Sequence, residues 1–318
     1  MNYRRLGKAA IQVSELSLGP WLTFSKHLSV KATRELVALA YDRGINLFDN
    51  AERYAEGMAE CLMGEVLKCF RRESLVVTTK LFWGGFGPND IGLSRKHLLE
   101  GMKNSLRRLQ LDYVDLVFCH RPDPYTSLEE TVLAMDSIVR QGYAFYWGTS
   151  QWPAEKIVFA YQLAQQMHCI PPSMEQAEYN LFQRQRVEQE YRNLYQTYTM
   201  GVIAHSPLAS GVLTGKYSDG IPVDSRLASE SRLITSDFNQ RVKKVKRMKI
   251  IADALRCSVA QLALAWCLSN ARVSSVLIGA SNKEQLIENL GAVSLQSRIT
   301  QDIKMQLDVL FLAESTQV

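Results

Sequence analysis

Short apolar runs, each closing on a polar residue or a glycine, recur along this 318-residue chain at intervals near thirty residues. The runs end at Gly19, Asp49, Lys80, His120, Ser150, Gln176, Ser206 and Gly279, with intervals of 26 to 40 residues and a last one of 73. Amphipathic stretches fill the gaps, so the period is that of one strand plus one helix. Eight such units predict an α/β fold, a (β/α)8 barrel of parallel strands whose carboxyl ends all open on one shared face. A doubly wound open sheet is the alternative, but that fold places a glycine-rich phosphate loop after its first strand. Here the first run leads into LSLGPW, with one glycine and no GxGxxG. The barrel is the better expectation.

The remaining organisation fits one domain over residues 1–318. Tyr3 to Val13 alternates around Gly7-Lys8 and reads as a β-hairpin able to plug the barrel's bottom. Helices are expected near 31–43, 58–70, 94–108, 127–140, 154–167 and 186–198. The third opens at Ser94 and carries Leu98, Leu99, Met102, Leu106 and Leu109 at helical spacing. The long interval after Ser206 should hold a top-face loop, 207–236, then two helices near 238–256 and 259–269. With 47% hydrophobic and 22% charged residues the chain can bury a large core. A net charge of +5, without an aromatic-interleaved basic patch, suits an anionic small molecule and gives no reason to expect nucleic acid. The six cysteines form no CxxC pair and no metal-ligand spacing, so reduced thiols, a cytoplasmic protein and no metal are expected. The opening MNYRRLGKAAIQVS has no apolar h-region, and no uncharged stretch approaches the ~18 apolar residues of a span, so neither export nor membrane insertion is expected.

Four residues at or near the run ends suggest the chemistry. Taken singly, Asp49 could cap a turn, Tyr54 could be a surface aromatic and His120 a satisfied core histidine. Lys80 is harder to dismiss, because an ammonium closing the buried run VVTT needs a counter-charge, and Asp49 could supply it. Gathered at one barrel mouth, the four suit proton donation to a carbonyl that receives hydride. Tyr54 would be the acid, Lys80 would lower its pKa, Asp49 would hold Lys80, and His120 would orient the carbonyl oxygen.

The segments NLFDNAERYAEGMAE, VVTTKLFWGG, GLSRKHLLEGMKNSLRRLQLDYVDLVF, RPDPYTSLEETVLAMDSIVRQGYAFYWGTS, PPSMEQAEYNLFQR, SPLASGVLTGKY and VSSVLIGASNKEQLIENLGA carry a further signal. Over residues 3 to 293 the chain resembles the aldo-keto reductases, most of all the β subunits of voltage-gated potassium channels and their bacterial relatives. The resemblance implies NADPH-dependent reduction of small aldehydes and ketones, with Asp49, Tyr54, Lys80 and His120 as the catalytic tetrad. It implies NADPH/NADP+ contacts from Trp21, Asp49, Ser150, Gln176, Ser206, Pro207, Leu208, Ala209, Lys216, Arg226, Gly279, Ser281, Gln285, Glu288 and Asn289. The residue types agree. Backbone N–H groups around Gly279–Ser281 precede a helix expected from Lys283 and could hold a phosphate. Lys216 and Arg226 add cations, and the Gln176 amide could pair with a carboxamide. Tyr54, Trp83 and His120 would line the substrate pocket, and the protein would form a homo-oligomer, tetrameric or larger.

Departures from that pattern are also present. Pro20 stands where relatives carry threonine, Asn50 replaces threonine, Gln151 an arginine, His205 a bulky aromatic and Asp224 a tyrosine. The last three would loosen the grip on the cofactor. His120 stands where the channel subunits carry asparagine, which favours a working reductase over a regulatory subunit that senses cofactor with little turnover. Of the other features, the six basic residues between Arg241 and Lys249 read as a solvated helix face. Phe82 and Tyr125 read as loop packing as readily as pocket wall.

Overall fold

The computed structural model describes residues 1–19 and 29–312. Its core is eight parallel strands closed into a barrel. An antiparallel hairpin comes first, β1 (Tyr3–Arg5) against β2 (Gln12–Ser14). The barrel strands are β3 (Leu16–Leu18), β4 (Leu47–Phe48), β5 (Val76–Leu81), β6 (Val114–Cys119), β7 (Ala144–Ser150), β8 (Met174–Glu178), β9 (Gly201–His205) and β10 (Val273–Ile278). Closure comes from β10, which pairs with β9 on one side and, in the register Val276 to Leu16, with β3 on the other.

Helices α1 (Val30–Asp42), α2 (Met58–Leu67), α3 (Arg95–Leu109), α4 (Leu128–Arg140) and α5 (Ala154–Gln166) return the chain between strands. Their starts are written in the sequence. Ser29, Ser94 and Ser127 each accept a hydrogen bond from the backbone N–H three residues on, satisfying one of the free donors of the first turn. In α3 most of the expected stripe is inside: Leu98, Met102, Leu106 and Leu109 are buried, and Leu99 is half-buried. The expected helix over 186–198 is divided. A π turn at Arg186–Glu190 ends at Tyr191, and α6 (Arg192–Tyr198) follows. Tyr191 is fully buried and its hydroxyl donates to Trp152 O at 2.6 Å, so the widened turn serves to bring that ring inward. After β9 come a 3-10 stretch (Ala209–Thr214), α7 (Arg226–Ser229), α8 (Phe238–Ala254) and α9 (Val259–Leu268), the last opened by a Ser258–Gln261 capping box. The chain then adds α10 (Lys283–Leu290), α11 (Ala292–Leu295) and α12 (Gln301–Phe311). No single helix among the described residues is long and apolar enough to cross a membrane.

Strand side chains alternate with a period of two, and here that period sorts the core into two regions. Val77, Leu81, Val117 and Cys119 face out and pack beneath the helices. Leu47, Val76, Leu116, Phe118, Met174 and Ile203 face in and fill the barrel's lower interior. Leu6 and Val13 of the hairpin join this inner cluster, which makes the hairpin the expected bottom plug. Its turn presses directly on the start of β9. A Cβ on Gly7 would lie 2.1 Å from Gly201 N, and Gly7 has φ +58°, so only glycine fits there. The parity that sends Val76 inward also sends Thr78 and Lys80 inward, and the parity of Leu116 and Phe118 extends to His120. Polar residues thus cap an apolar filling at the carboxyl ends of the strands.

Candidate active site

Lys80 ends this inward row on β5 with its side chain fully buried. Its Nζ forms an ion pair with Asp49 Oδ2, donates to Asn50 O at 2.9 Å and donates to the Tyr54 hydroxyl at 3.0 Å. All three donors of the ammonium are used, which is what makes a buried cation tolerable. Asp49 follows the last residue of β4 and is itself held at Oδ1 by Thr78 Oγ1 (2.8 Å) and Gln176 Nε2 (2.9 Å). Thr78 shares the parity of Lys80, a signal that strand alternation alone could have found. Gln176 is therefore tied to the tetrad as well as standing at the barrel centre.

Tyr54 sits in a short 3-10 turn after β4, mostly buried, with Lys80 Nζ 4.7 Å from its ring centre. The two residues that follow, Ala55 and Glu56, both take left-handed φ, +48° and +54°. Such backbone strain marks a conformation that the surroundings impose. Burial pushes the Tyr54 phenol well above its usual range; Asp49 pushes it further, while Arg121 and Arg226 oppose. The expected lowering by Lys80 does not set the direction, because burial of the phenol outweighs it. The result is a phenol kept protonated and in contact with a cation.

His120 lies just past β6, its backbone N–H bonded to Leu81 O at 3.0 Å. Its ring is 6.1 Å from Tyr54 and 5.1 Å from Trp83, edge-on to both. Burial, then Lys80, Arg121, His205 and Arg53, hold the imidazole well below its usual pKa, so it is neutral near pH 7. Its Nδ1 is buried and has no partner among the described residues. A neutral imidazole beside a protonated tyrosine leaves two polar groups facing one space, suited to a carbonyl oxygen.

Asp49, Ser150 and Gln176 stand at or near strand ends, and most of the other expected cofactor residues fall on two segments that follow β9 and β10. Ser206 through Ala209 follow β9, and Ser206, Ala209 and Ser210 carry left-handed φ of +51°, +46° and +56°. Lys216 bends back over Gly211, where a Cβ would meet its Cε at 2.9 Å. Burial, then Arg226, lower the pKa of Lys216 and Asp224 opposes, so these three charges are near one another, as the sequence suggested. Arg226 in turn acts on Tyr54, which places it on the catalytic side of this insertion. On the second segment α10 opens at Lys283 as expected, with Asn282 as cap. Gln285 Oε1 accepts from Ser281 N (3.0 Å) and Oγ (2.8 Å), and Asn289 Nδ2 reaches Gly279 O (3.3 Å). Glu288 is exposed on the same helix. Ser150 ends β7 and is buried. Trp21 and Pro20 lie outside the described residues.

Two of the departures form a relay. Arg186 Nη1 donates to Gln151 Oε1 at 2.6 Å, and Gln151 Nε2 reaches His205 Nε2 at 2.7 Å. His205 Nδ1 contacts Ser206 Oγ at 3.1 Å. Gln151 can only donate from its amide nitrogen, so His205 accepts at Nε2 and is neutral. That agrees with a pKa pushed down to about 3, chiefly by burial. Sequence reasoning did not single out Thr78, Arg53 or Arg121. Arg121 directly follows His120, donates from Nη1 to His120 O (2.5 Å) and Ser150 Oγ (3.4 Å), and stands over Trp83.

A strained, buried Tyr–Lys–Asp–His cluster at the carboxyl face of a closed barrel belongs with a family model. The model described as aldo/keto reductase family matches residues 15–306, and the chain belongs to that family of oxidoreductases. Among curated proteins, it is 49% identical over 309 residues to a probable voltage-gated potassium channel subunit beta of Oryza sativa subsp. japonica, a match covering 95% of this chain and 94% of that protein.

Proposed function

We propose that the protein reduces small aldehydes and ketones to alcohols with NADPH, with Tyr54 as the proton donor. The observation that carries this reading is the Lys80 Nζ that touches Tyr54 and Asp49 at once, at the mouth of the barrel. A bound reduced nicotinamide would supply the hydride that the carbonyl carbon accepts. The chain's own residues do the rest. Tyr54, held protonated by burial, gives its hydroxyl proton to the carbonyl oxygen as charge develops there. Lys80, in contact with the same oxygen, stabilises the phenolate that this transfer leaves. Neutral His120 orients the carbonyl oxygen, and Asp49, braced by Thr78 and Gln176, fixes Lys80.

Donor chemistry supports a phosphorylated dinucleotide. Arg226 is close enough to Lys216 to lower its pKa, and a phosphate between two such cations would be held by both. Ser281 N–H and the N-terminus of α10 offer a second anion-binding position once Gln285 moves aside. Lys216 and Arg226 favour NADPH over NADH, and the carboxylates of Asp224 beside Lys216 and Glu230 beside Arg226 reduce the margin.

The identity to the rice protein favours a second reading, a cofactor-binding subunit docked on a channel and turning over little. Following NADPH oxidation with 4-nitrobenzaldehyde separates the two. Many turnovers per protomer support the reductase; tight NADPH binding with at most one turnover supports the subunit.

A further inference from the structure

Trp83 has cations on its ring. Arg53 Cζ lies 5.0 Å and Arg121 Cζ 5.7 Å from its centre, and the same indole packs edge-on against His120. Both guanidiniums act on His120, and Arg121 also acts on Tyr54, so their charge is felt where a carbonyl would sit. Neither has a carboxylate within salt-bridge distance among the described residues. The acids that act on Arg121, Glu175 and Glu178, are bonded elsewhere, Glu175 by Thr149, Trp152 N and Tyr191 and Glu178 by Asn180 Nδ2 (3.2 Å). Asp49 is committed to Lys80, and Glu52 to Phe82 N (2.6 Å) and His97 Nε2 (3.0 Å). The hydrogen bonds of Arg121 within the described residues run through Nη1 alone. A half-buried guanidinium with its remaining N–H groups uncommitted, beside an aromatic wall, is the geometry of carboxylate recognition.

We propose that Arg121, supported by Arg53, is an anion anchor that selects carbonyl substrates bearing a carboxylate close to the reacting C=O. The inference rests on the reductase reading of the same site and adds a substrate class to it. Desolvation of Arg121, which lowers its pKa, is relieved when an anion arrives.

The test uses an isosteric pair, 3-carboxybenzaldehyde and 3-carbamoylbenzaldehyde, with NADPH. The wild-type protein should favour the carboxylate by roughly 10- to 100-fold in kcat/KM, the range of a charge-assisted bond. Arg121→Met should cut kcat/KM for the carboxylate at least tenfold more than for the amide. Arg121→Lys, which keeps the charge but loses the fork, should fall between. Equal losses on both substrates, or no wild-type preference, would overturn the proposal. So would a matching loss of NADPH affinity, since Arg121 would then serve the cofactor. If the wild-type protein turns over neither aldehyde, calorimetric titration with 3-(hydroxymethyl)benzoate and its amide decides separately. Carboxylate binding that weakens tenfold or more in Arg121→Met keeps the anchor while the reductase reading falls; unchanged binding removes the anchor too.

Discussion

Replacing Lys80 by methionine keeps most of the side-chain length and removes the charge at the centre of the site. Three contacts go at once: the ion pair with Asp49 and the hydrogen bonds to Asn50 O and Tyr54. Both members of the pair are fully buried, so Asp49 is left as a carboxylate with only Thr78 and Gln176 as partners. Breaking a buried pair from one side costs about 3–5 kcal/mol. At about 2 °C per kcal/mol for a chain of this size, the variant should melt roughly 6–10 °C lower. Asp49→Asn should cost a similar amount, because it strands the ammonium. The double variant contains neither charge and should be more stable than the sum of the singles implies, by about 1–3 kcal/mol. Urea unfolding of the four proteins at one pH completes the cycle. Additivity to within about 0.5 kcal/mol would refute the argument that these two groups stabilise each other in the barrel mouth.

Other outcomes follow from the same geometry. Glu175 is fully buried, and burial pushes its carboxyl up to about 8, against an ordinary value of 4.5. A raised folded pKa gives stability that is complete below the unfolded value and is lost as pH rises through 8; Glu175→Gln should therefore out-melt the wild-type protein increasingly from pH 5 to 8.5, and parallel curves would contradict this. His205, pushed down to about 3, works in the opposite sense, so stability should fall as pH drops below about 6.5; His205→Gln should flatten that decline in an acid melting series. With His120 held well below the usual imidazole range, the rate of carbonyl reduction should show no imidazole titration near neutral pH, checked by a pH–kcat profile. Asp224→Asn should tighten NADPH several-fold while changing NADH little, measured by fluorescence titration; equal changes would show that Asp224 does not face the 2′-phosphate.

Periodicity alone was enough for the barrel, because each strand ended on a residue that broke an apolar run. Most of the expected ends fall within a residue of the observed ones, and Gln176 falls two short, since β8 continues to Glu178. Parity along β5 and β6 then decides that Lys80 and His120 point inward. The bracing of Asp49 was harder to see: Thr78 sits inside VVTT, where a threonine reads as ordinary strand filling. Arg121 was obscured for a similar reason, as one residue in an RPDP turn whose value lies in what surrounds it. Tyr54 stands in contact with Lys80 as expected, but its pKa is raised where a lowering was expected. Sequence shows that a lysine is near and that Asp49 could hold it; only the fold shows how far burial of the phenol outweighs that lysine. The division of 186–198 depends on Tyr191 turning inward to Trp152, a contact between distant segments that helical periodicity cannot reveal. The basic run of α8 is a wet face only in part: Lys243, Lys246, Arg247 and Lys249 are exposed, whereas Arg241 pairs with Asp237 and stacks on Phe182.

The central claim is that Tyr54 gives the proton. Tyr54→Phe keeps the ring beside Lys80 and His120 and removes only the hydroxyl. Measured with NADPH and 4-nitrobenzaldehyde, kcat should fall by ~10²-fold or more while NADPH affinity, read by fluorescence quenching, stays within about twofold. A variant that keeps near-normal kcat would contradict the account, because some other group would then be the acid.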